Sequence, residues 1–539
     1  MSDCRVLHDN GGKVDRAAPY VEVWARPRPG YLGAMNPERS GRRTDPDPGA
    51  RLTIARIADH LGTPIVGGAG AGPIMVRDID DDSRTIRPGD AYLAIPGSRW
   101  HGLDFEREVA AAGAVLVISD RPASLLPTLV VDEPRRVMGP LTSWFHGNPS
   151  RDLRIFGVTG TNGKTSTTHF VDAALTAAGE AAGLISGARI RGPGCDVVPA
   201  RTTPEAPMLQ RTLATFRRHG ITCCAMEVSS HAIDQGRVDG TVFRVMAFTN
   251  LSDDHLDYHD SMESYFATKA AMFTADRTQV AVIDIDDEWG ARLAAGTTTE
   301  TWTCSTSRPD ADVVATGIRT GPLGAEFTAH TPYGRARIGL QVLGPHQVGN
   351  ALLALTSAVA DGVDLAAAAE GISSVTGIPG RCEPVHAGQA YRAIVDYMHN
   401  TAGQHALFPY LRSLTEGGRL IVVIGATGGR DPGKREPLGE VAARYADVVI
   451  VTDESPEDED PGAIRARVLR GARRAASALV IEESDRQAAF SIATTMAGDH
   501  DVVVVTGRGS DTFRRYGPET TFFDDHTELR RAILETPGG

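Results

Sequence analysis

Cysteine is scarce in this sequence and is not arranged for metal binding. The 539 residues include six cysteines, with no Cys-x-x-Cys motif and no other metal-ligand spacing: Cys4, Cys195, Cys223, Cys224, Cys304 and Cys382. This pattern argues against a zinc-ribbon protein and against a small disulfide-stapled scaffold. Scattered reduced thiols are typical of a cytoplasmic enzyme, and we expect that localisation.

Long apolar runs and an excess of basic residues are also lacking. No run approaches the roughly 20 apolar residues needed to span a bilayer, and the N-terminus has no signal-peptide core. The formal net charge is −13 with a pI near 5.7, which argues against a nucleic acid held through its phosphates. We therefore expect a soluble monomer with no membrane partner and no nucleic-acid partner.

The length and the composition predict several domains. A chain of 539 residues is too long for one core, and 41% hydrophobic content is ordinary for a globular protein. Residues 1–50 are rich in Arg, Pro, Gly and Asp without periodicity, and we expect a disordered extension. Changes in pattern predict domains at 51–150, 151–377 and 378–539.

A glycine-rich turn is the strongest motif in the chain. The apolar run Leu153–Val158 predicts a strand, and a predicted helix runs through Leu175. The turn between them presents backbone N–H groups at a helix N-terminus, which suits the phosphates of ATP. We expect ATP contacts from Gly157, Thr159, Gly160, Thr161, Asn162, Gly163, Lys164, Thr165 and Ser166. The strict Walker spacing fails by one residue at Val158, so a tight turn with a chance lysine is the alternative.

Acidic and basic side chains follow the next predicted strands. Glu227 ends the predicted strand of residues 222–226, where open α/β sheets bind ligands, so it is a candidate Mg²⁺ ligand. His255 and His259 are four residues apart, as zinc ligands on a helix can be, but a third ligand is missing. A role for His255 near phosphate and Mg²⁺ is the better hypothesis. Lys269 lies in an amphipathic helical stretch, where it could equally reach the surface.

The second half of the chain alternates strands and helices after an irregular stretch at residues 297–337. Asn350 lies near the start of an Ala/Leu-rich helix, where capping is the ordinary explanation. A turn at residues 377–381 marks the start of a third domain with near-continuous apolar strands, which indicates a buried parallel sheet. The segments 425–430 and 507–511 both follow strand ends, so we expect them to line one crevice.

Four motifs in this order resemble those of the Mur ligases, ATP-dependent amide-bond-forming enzymes of peptidoglycan synthesis. They are the turn at 157–165, Met226-Glu-Val-Ser-Ser-His231, the segment at 250–259 and the glycine-rich segment at 425–434. The resemblance covers residues 52–534 and is greatest to the branch that extends UDP-N-acetylmuramoyl-L-alanyl-D-glutamate. It implies a three-domain α/β fold, with a central P-loop ATPase-like parallel sheet and a C-terminal Rossmann-like domain.

The resemblance also implies roles for matching positions. Lys164, His255 and Lys269 would be catalytic, with Lys269 carbamylated, and the Mg²⁺ ligands would be Thr165, Glu227, His255 and Lys269. Asn350 and Arg381 would bind ATP. The UDP-muramoyl peptide would contact Ser83, Thr202, Thr203, Ser229, Gln235 and Arg237. From the residues alone, Asp82-Ser83-Arg84 is an ordinary surface turn.

The amino-acid side departs from the family pattern. The family's Asp-Tyr-Ala-His-Thr-Pro-Asp is here Asp396-Tyr-Met-His-Asn-Thr-Ala402, and an expected glutamate is Asp511. The Asp-Asn-Pro-Arg motif of the diaminopimelate-adding branch is here Glu454-Ser-Pro-Glu457. We expect the incoming amino acid to contact Arg430, Glu454, Glu457, Gly507 and Asp511. An anion at Glu457 would disfavour diaminopimelate and favour lysine or ornithine, unless residues 453–460 are only a solvated loop.

The expected function is amide-bond formation between the D-glutamate of the UDP-muramoyl dipeptide and an amino acid, expected to be a diamino acid, through an acyl phosphate. ATP and Mg²⁺ are the expected cofactors, and the UDP-muramoyl peptide and an amino acid are the substrates. One alternative is the same chemistry on another carboxylate, in specialised metabolism or polyglutamylation. The other alternative is a nucleotide-binding scaffold that has lost catalysis. The presence of intact catalytic positions argues against it: Lys164, Glu227, His255 and Lys269.

Overall fold

The structure is a computed structural model that describes residues 51–68, 70–97, 100–475 and 477–536. The predicted extension at 1–50, with Cys4, lies outside these residues. The described chain forms three α/β domains, each built on its own sheet, which confirms the predicted fold class. Within these ranges, no helix combines the length and the apolar character needed to cross a membrane.

The amino-terminal domain packs short strands against three helices. Its elements are β1 (Leu52–Thr53), α1 (Ile54–Leu61), β2 (Ile65–Val66), β3 (Met75–Val76), β4 (Ile79–Asp80), β5 (Ala91–Leu93), α2 (Glu106–Ala111), β6 (Leu116–Ser119), β7 (Thr128–Val130) and α3 (Pro134–Phe145). The main sheet has the order β2-β7-β6-β5-β4 and is parallel except for β2. Helix α1 starts where the Thr53 hydroxyl accepts the Arg56 N–H at 3.2 Å, and it ends at Gly62 in the left-handed region.

The central domain contains the largest sheet. Its elements are β8 (Arg154–Thr159), α4 (Lys164–Ala177), β9 (Ala182–Ile185), β10 (Ile190–Gly192), β11 (Cys195–Val197), α5 (Ala206–Arg218), β12 (Cys223–Glu227), α6 (Ser230–Asp234), β13 (Phe243–Phe248), α7 (Leu256–His259), α8 (Met262–Ala270), β14 (Thr278–Asp284), α9 (Glu288–Gly296), β15 (Glu300–Ser305), β16 (Val313–Gly321), β17 (Gly324–Thr331), β18 (Gly334–Leu340), α10 (Gln347–Ala360) and α11 (Leu365–Ser373).

The eleven strands of this sheet are ordered β11-β10-β9-β12-β8-β13-β14-β15-β16-β17-β18. In this order, the strands from β9 through β12, β8, β13, β14 and β15 to β16 are parallel. The strands at the two edges, β11 and β10 on one side and β17 and β18 on the other, pair antiparallel. Helices α4, α10 and α11 cover one face, and α5, α8 and α9 cover the other. Because β8 lies between β12 and β13, the segments that follow these three strands meet at one edge of the sheet.

The carboxyl-terminal domain is a second parallel sheet between helices. Its elements are β19 (Glu383–Pro384), β20 (Arg392–Val395), α12 (Thr401–Ser413), β21 (Leu420–Ile424), α13 (Arg435–Tyr445), β22 (Val448–Val451), α14 (Pro461–Ala472), β23 (Leu479–Glu482), α15 (Arg486–Met496), β24 (Val502–Val505), β25 (Phe513–Tyr516), β26 (Glu519–Phe522) and α16 (Asp525–Glu535). The sheet order is β19-β20-β24-β21-β22-β23, parallel except for β19. Strands β25 and β26 form a separate hairpin.

One prediction about the central domain is wrong. The stretch 297–337 is not irregular, because it contains β15, β16, β17 and most of β18. The last three of these strands form an antiparallel meander at the edge of the sheet, where many side chains are exposed. Strands that face solvent lack the apolar run that identifies a buried strand, so the composition concealed them.

A buried ion network joins the amino-terminal domain to the central domain. Arg211 on α5 is 2% exposed and donates to Asp78 at 2.6 Å and to Asp80 at 3.0 Å. Asp80 lies at the end of β4, directly before the turn that contains Ser83. Because a buried ion pair is expensive to break, this contact holds the Ser83 turn in a fixed position against the central domain.

Candidate active site

A phosphate loop, residues 160–163, connects β8 to α4. Gly160 has φ 144° and Gly163 has φ 89°, so both adopt backbone conformations that favour glycine. A Cβ at Gly160 would overlap the Thr249 hydroxyl, and one at Gly163 would overlap the Asn350 amide. The predicted strand, turn and helix are therefore present in that order, with backbone N–H groups at the start of α4.

Gly157 does not belong to this loop, which corrects the prediction that it contacts ATP. It lies inside β8 and is paired with Met226 and Met246 on the two neighbouring strands. A Cβ there would lie 2.6 Å from the Met246 sulfur and 2.7 Å from the Phe243 ring. Packing between strands and side chains, not a nucleotide, accounts for this glycine.

The Lys164 ammonium is folded back onto the loop. Its Nζ donates to the carbonyl oxygens of Gly160 at 3.1 Å and Thr161 at 2.7 Å. Burial lowers the pKa of Lys164, while the charges of Glu227 and Asp254 oppose that shift. The cation therefore lies among the loop carbonyls, close to two acidic side chains.

Lys269, near the end of α8, points into the same loop and does not reach the surface. It is 1% exposed, its Nζ donates to the Gly160 carbonyl at 2.9 Å, and it lies over the Tyr265 ring at 4.6 Å. Within the described ranges, no carboxylate forms an ion pair with it. Burial and the nearby Lys164 charge hold the pKa of Lys269 well below its usual value.

Glu227 and Thr165 present oxygen atoms near the phosphate loop. Glu227, at the end of β12, is 1% exposed, and its Oε1 accepts the Gly187 N–H at 2.8 Å. Thr165, in the first turn of α4, is 3% exposed. The part of the chain that is described holds no group of three or more His, Cys, Asp or Glu placed to bind a metal ion. A sparse oxygen set of this kind fits Mg²⁺, which takes few protein ligands and completes its shell with phosphates and water.

His255 belongs to an aromatic cluster beside the loop. Its backbone is left-handed at φ 57°, and its ring centroid lies 4.8 Å from that of His231. Burial lowers the pKa of His255 to about 3 and that of His231 to about 4, so both rings are neutral at pH 7. His259 is buried and its ring stacks on Tyr265 at 4.9 Å.

Four of the predicted peptide-binding residues are in mutual contact. The Thr203 hydroxyl donates to the Glu227 carbonyl at 2.9 Å and accepts the Ser229 N–H at 3.1 Å. Arg237 donates to the Thr203 carbonyl at 3.3 Å and to the Gln235 amide at 2.6 Å. Thr202 lies beside Gly187, the residue that donates to Glu227. Ser83 lies in the amino-terminal domain, next to the strand anchored by Arg211.

Arg381 reaches from the third domain to the first turn of α4, which directly follows the phosphate loop. Its guanidinium donates to the Thr165 hydroxyl at 2.7 Å and stacks over the Tyr397 ring at 4.3 Å. Asn350 packs against Gly163, and its amide donates to Gln347 at 3.0 Å. The capping explanation for Asn350 is wrong, because it lies within the first turn of α10 and the N-cap position is His346.

The segments after β21 and β24 lie side by side, since these two strands are paired. Glu454, which follows β22, is 5% exposed and accepts a hydrogen bond from the Thr427 hydroxyl. A Cβ at Gly507 would overlap the Glu454 carboxylate, so these two residues are in contact. Arg430 and Asp511 are exposed, and Tyr397 is half-buried. The Asp511 charge, and after it the removal of the phenol from water, raise the pKa of Tyr397.

Glu457, on which the expectation about diaminopimelate depended, is paired with a cation. Arg515, on β25, places its guanidinium 3.0 Å from the Glu457 carboxylate and 2.6 Å from that of Asp458. Backbone bonds between Glu457 and Arg515 and between Gly517 and Glu457 fix the hairpin to this segment. The guanidinium balances one of these two negative charges, so the predicted reversal of the local field is weakened and stays a prediction.

Sequence reasoning missed three residues at this site: Asp254, Asn400 and Arg515. Asp254 was visible only as part of a motif, and Arg515 lies in a hairpin that was not predicted. Asn400 lies in the segment 396–402, which departs from the family pattern. The signal that could have drawn attention to it is an Asn at a helix start, which predicts a cap but not a contact with another domain.

Comparison with known proteins assigns the family. Residues 76–139 match the model described as Mur ligase family, catalytic domain, residues 158–358 match the Mur ligase middle domain, and residues 380–509 match the Mur ligase, glutamate ligase domain. A relative from Streptomyces coelicolor, named UDP-N-acetylmuramoyl-L-alanyl-D-glutamate--2,6-diaminopimelate ligase, is 41% identical over 90% of this chain and 97% of its own. A relative of the same name from Corynebacterium efficiens is 42% identical over 90% and 95%.

A solved structure of a protein with that name covers 90% of this chain and 99% of its own, with 26% identity and a TM-score of 0.60. The chain belongs to the Mur ligase family. The family assignment made from the four motifs is confirmed, and the expected enzyme class, ATP-dependent amide-bond ligation, is confirmed with it.

Proposed function

We propose that this chain joins the D-glutamate γ-carboxylate of UDP-N-acetylmuramoyl-L-alanyl-D-glutamate to an amino group of 2,6-diaminopimelate in peptidoglycan synthesis. The names of relatives about 41% identical over nearly the whole chain support this choice of substrates. The observation that carries the proposal is the convergence on one sheet edge of the phosphate loop, Glu227 and the cluster of Thr203, Ser229 and Arg237. That arrangement suits a carboxylate held beside a nucleotide γ-phosphate.

In the first step, the γ-carboxylate attacks the γ-phosphorus of ATP, which forms an acyl phosphate and releases ADP. Lys164 stabilises the negative charge that develops on the phosphate oxygens. Arg381, which donates to Thr165, and Asn350, which packs against Gly163, would contact the nucleotide. Thr165, Glu227 and His255 would hold Mg²⁺, which would supply additional positive charge to the phosphates. A carbamate on Lys269 would add an anionic oxygen ligand there and would relieve the repulsion between the two lysines.

In the second step, the amine attacks the acyl carbon and phosphate leaves. We propose domain boundaries at 51–150, 151–377 and 378–539, with the third domain delivering the amine by closing about residues 377–380. Arg430 binds the α-carboxylate, and Glu454, Gly507 and Asp511 line the remainder of the crevice. Closure keeps water from the acyl phosphate.

We also propose that the enzyme is cytoplasmic, since ATP and the UDP-linked substrate are cytoplasmic. We propose in addition that it is a monomer.

The test is ADP release by the purified full chain with ATP, Mg²⁺ and the UDP-muramoyl dipeptide. It is run with no amino acid, with diaminopimelate, with lysine and with ornithine. We expect stoichiometric ADP and tripeptide with diaminopimelate, identified by mass spectrometry. Absence of dipeptide-dependent ADP with all three amino acids would overturn the proposal, and preference for lysine or ornithine would overturn the choice of amino acid.

A further inference from the structure

The side chain of Asn400 forms three hydrogen bonds, and only one of them is a helix cap. Its side-chain oxygen accepts the Gly403 N–H at 2.8 Å, as expected at the N-cap of α12. Its side-chain nitrogen donates to Asn162 Oδ1 at 3.2 Å and to Asp254 Oδ2 at 3.1 Å. Both acceptors belong to the central domain, so this 3% exposed side chain connects two domains. Capping accounts for the oxygen but not for the amide nitrogen.

The two acceptors are themselves fixed to the parts of the site that act on phosphate. Asn162 lies in the phosphate loop, and its carbonyl accepts the Thr249 hydroxyl at 2.6 Å and the Asn250 amide at 3.1 Å. Asp254 immediately precedes His255, and its Oδ1 accepts the His255 N–H at 3.0 Å. The third domain adds His399, whose Nε2 lies 3.4 Å from the Asp254 carboxylate. The Asn400 amide therefore bridges the phosphate loop and the residues Asp254-His255, here called the His255 segment.

We infer that Asn400 is a positioning residue that couples closure of the third domain to the geometry of the phosphate loop and of the His255 segment. An amide has two N–H donors, so it bonds Asn162 and Asp254 at once, whereas a hydroxyl has one donor and a carboxylate has none. When the third domain opens, both bonds break together. The loop is then complete only while the amine-binding crevice lies over it, which restricts acyl-phosphate formation to the closed enzyme. This inference rests on the proposed function.

The test separates the cap from the bridge. Asn400→Asp keeps the capping oxygen, removes both donors and places a negative charge against Asp254. Asn400→Thr retains one donor. The matched control is Asp485→Asn. Asp485 is the exposed N-cap of α15, where its carboxylate accepts the Gln487 and Ala488 N–H groups. Asn and Asp cap helices about equally well, so this change should have little effect.

We expect Asn400→Asp to lose about 100-fold in kcat, because small misplacements of reacting groups cost rates of that order. Asn400→Thr should lie between it and wild type, and Asp485→Asn should match wild type. We expect ADP released to match amide formed in Asn400→Asp, since an incompletely closed site forms little acyl phosphate. Wild-type kcat in Asn400→Asp, or ADP released in clear excess over amide, would overturn the inference.

A second measurement does not depend on turnover. Small-angle X-ray scattering, with a non-hydrolysable ATP analogue and the UDP-muramoyl dipeptide, reports the radius of gyration of each full-length variant. We expect wild type and Asp485→Asn to contract on ligand addition, and Asn400→Asp to contract less. Equal contraction of all three would overturn the coupling role. If wild type contracts but forms no ADP with any amino acid, the proposed function fails while the role of Asn400 in closure stands. If Asn400→Asp does not fold, Asn400→Thr decides by the same two measurements.

Discussion

The amines of Lys164 and Lys269 donate to one shared acceptor, the carbonyl oxygen of Gly160, at 3.1 and 2.9 Å. Two ammonium groups so close together repel each other, and burial adds to the cost of charging Lys269. The lower pKa leaves a larger fraction of Lys269 as the neutral amine, which is the form that reacts with carbon dioxide. A carbamate would replace like-charge repulsion by attraction to Lys164.

We predict that Lys269 carries a carbamate in the active enzyme. Lys269→Ala should lose at least about 100-fold in ADP formation and regain part of it with formate or acetate, which would supply the missing anionic oxygen. Full activity of Lys269→Ala without any additive would contradict this prediction.

Carbon-13 NMR offers a direct check on the same lysine. The chain has only four lysines, Lys13, Lys164, Lys269 and Lys434, so a carbamate signal from labelled bicarbonate is easily assigned. We expect one such signal in wild type and none in Lys269→Ala. A signal that survives the substitution would place the carbamate on another amine.

We predict that Lys164→Ala abolishes ADP formation and leaves the fold intact. The Lys164 side chain bonds only loop carbonyls among the described contacts, so its loss should affect stability little. It should leave the γ-phosphate charge uncompensated, and a fall of about 1,000-fold is of the size seen for a lost electrostatic contact in phosphoryl transfer. Lys164→Arg should recover little, because a planar guanidinium does not replace a compact ammonium. Turnover near wild type in folded Lys164→Ala would disprove the assignment of this loop.

The parts of the site that the sequence predicted are those encoded by neighbouring residues. The strand, glycine-rich turn and helix around Lys164 are contiguous, and strand-end positions such as Glu227 follow from the geometry of parallel sheets. The contacts of Asn400 with Asn162 and Asp254 join residues 238 and 146 positions apart, and no periodicity encodes them. The pairing of Arg515 with Glu457 depends on a hairpin with exposed strands, for which the sequence carries no apolar signal.

The solvent-facing meander shows the same limit in the fold. Buried strands such as β21 and β24 can be read from the sequence, because Leu420–Ile424 and Val502–Val505 are unbroken apolar runs. Strand β16 has five consecutive exposed residues, so it resembled an irregular segment. Sequence patterns report burial, and they identify strands only where burial and strand structure coincide.

Acid should destabilise the protein partly through His169. This residue is 4% exposed, and burial followed by the charges of Arg191, Arg381 and Arg189 lowers its pKa to about 3. Below pH 6.5 the unfolded chain binds a proton there that the folded chain does not, so stability falls as pH falls. Between pH 7.5 and 5.5 this difference amounts to about 1.4 kcal/mol. Between these two pH values, the free energy of unfolding measured in urea should decrease less in His169→Gln than in wild type, by that amount. An equal decrease in both proteins would contradict the prediction.

The last prediction concerns Arg515, which pairs with Glu457 and Asp458 beside the proposed amino-acid crevice. Arg515→Gln leaves two carboxylates facing the distal carboxylate of diaminopimelate, while a substrate that ends in an ammonium meets no repulsion. These groups are partly exposed, and pairs of that kind contribute up to about 1 kcal/mol, so we expect the KM for diaminopimelate to rise about three- to fivefold. The KM for lysine should stay constant or fall.

Arg319→Gln is the matched control, because Arg319 pairs with Glu326 at 3.2 Å on an exposed hairpin of the central domain. It should leave both KM values unchanged. Adding Glu457→Gln to Arg515→Gln should restore part of the affinity for diaminopimelate, since it removes one of the two unbalanced charges. Initial rates over a concentration series of each amino acid give the KM values. If Arg515→Gln changes the KM for diaminopimelate and lysine equally, the ion pair only fixes the hairpin and does not select the substrate.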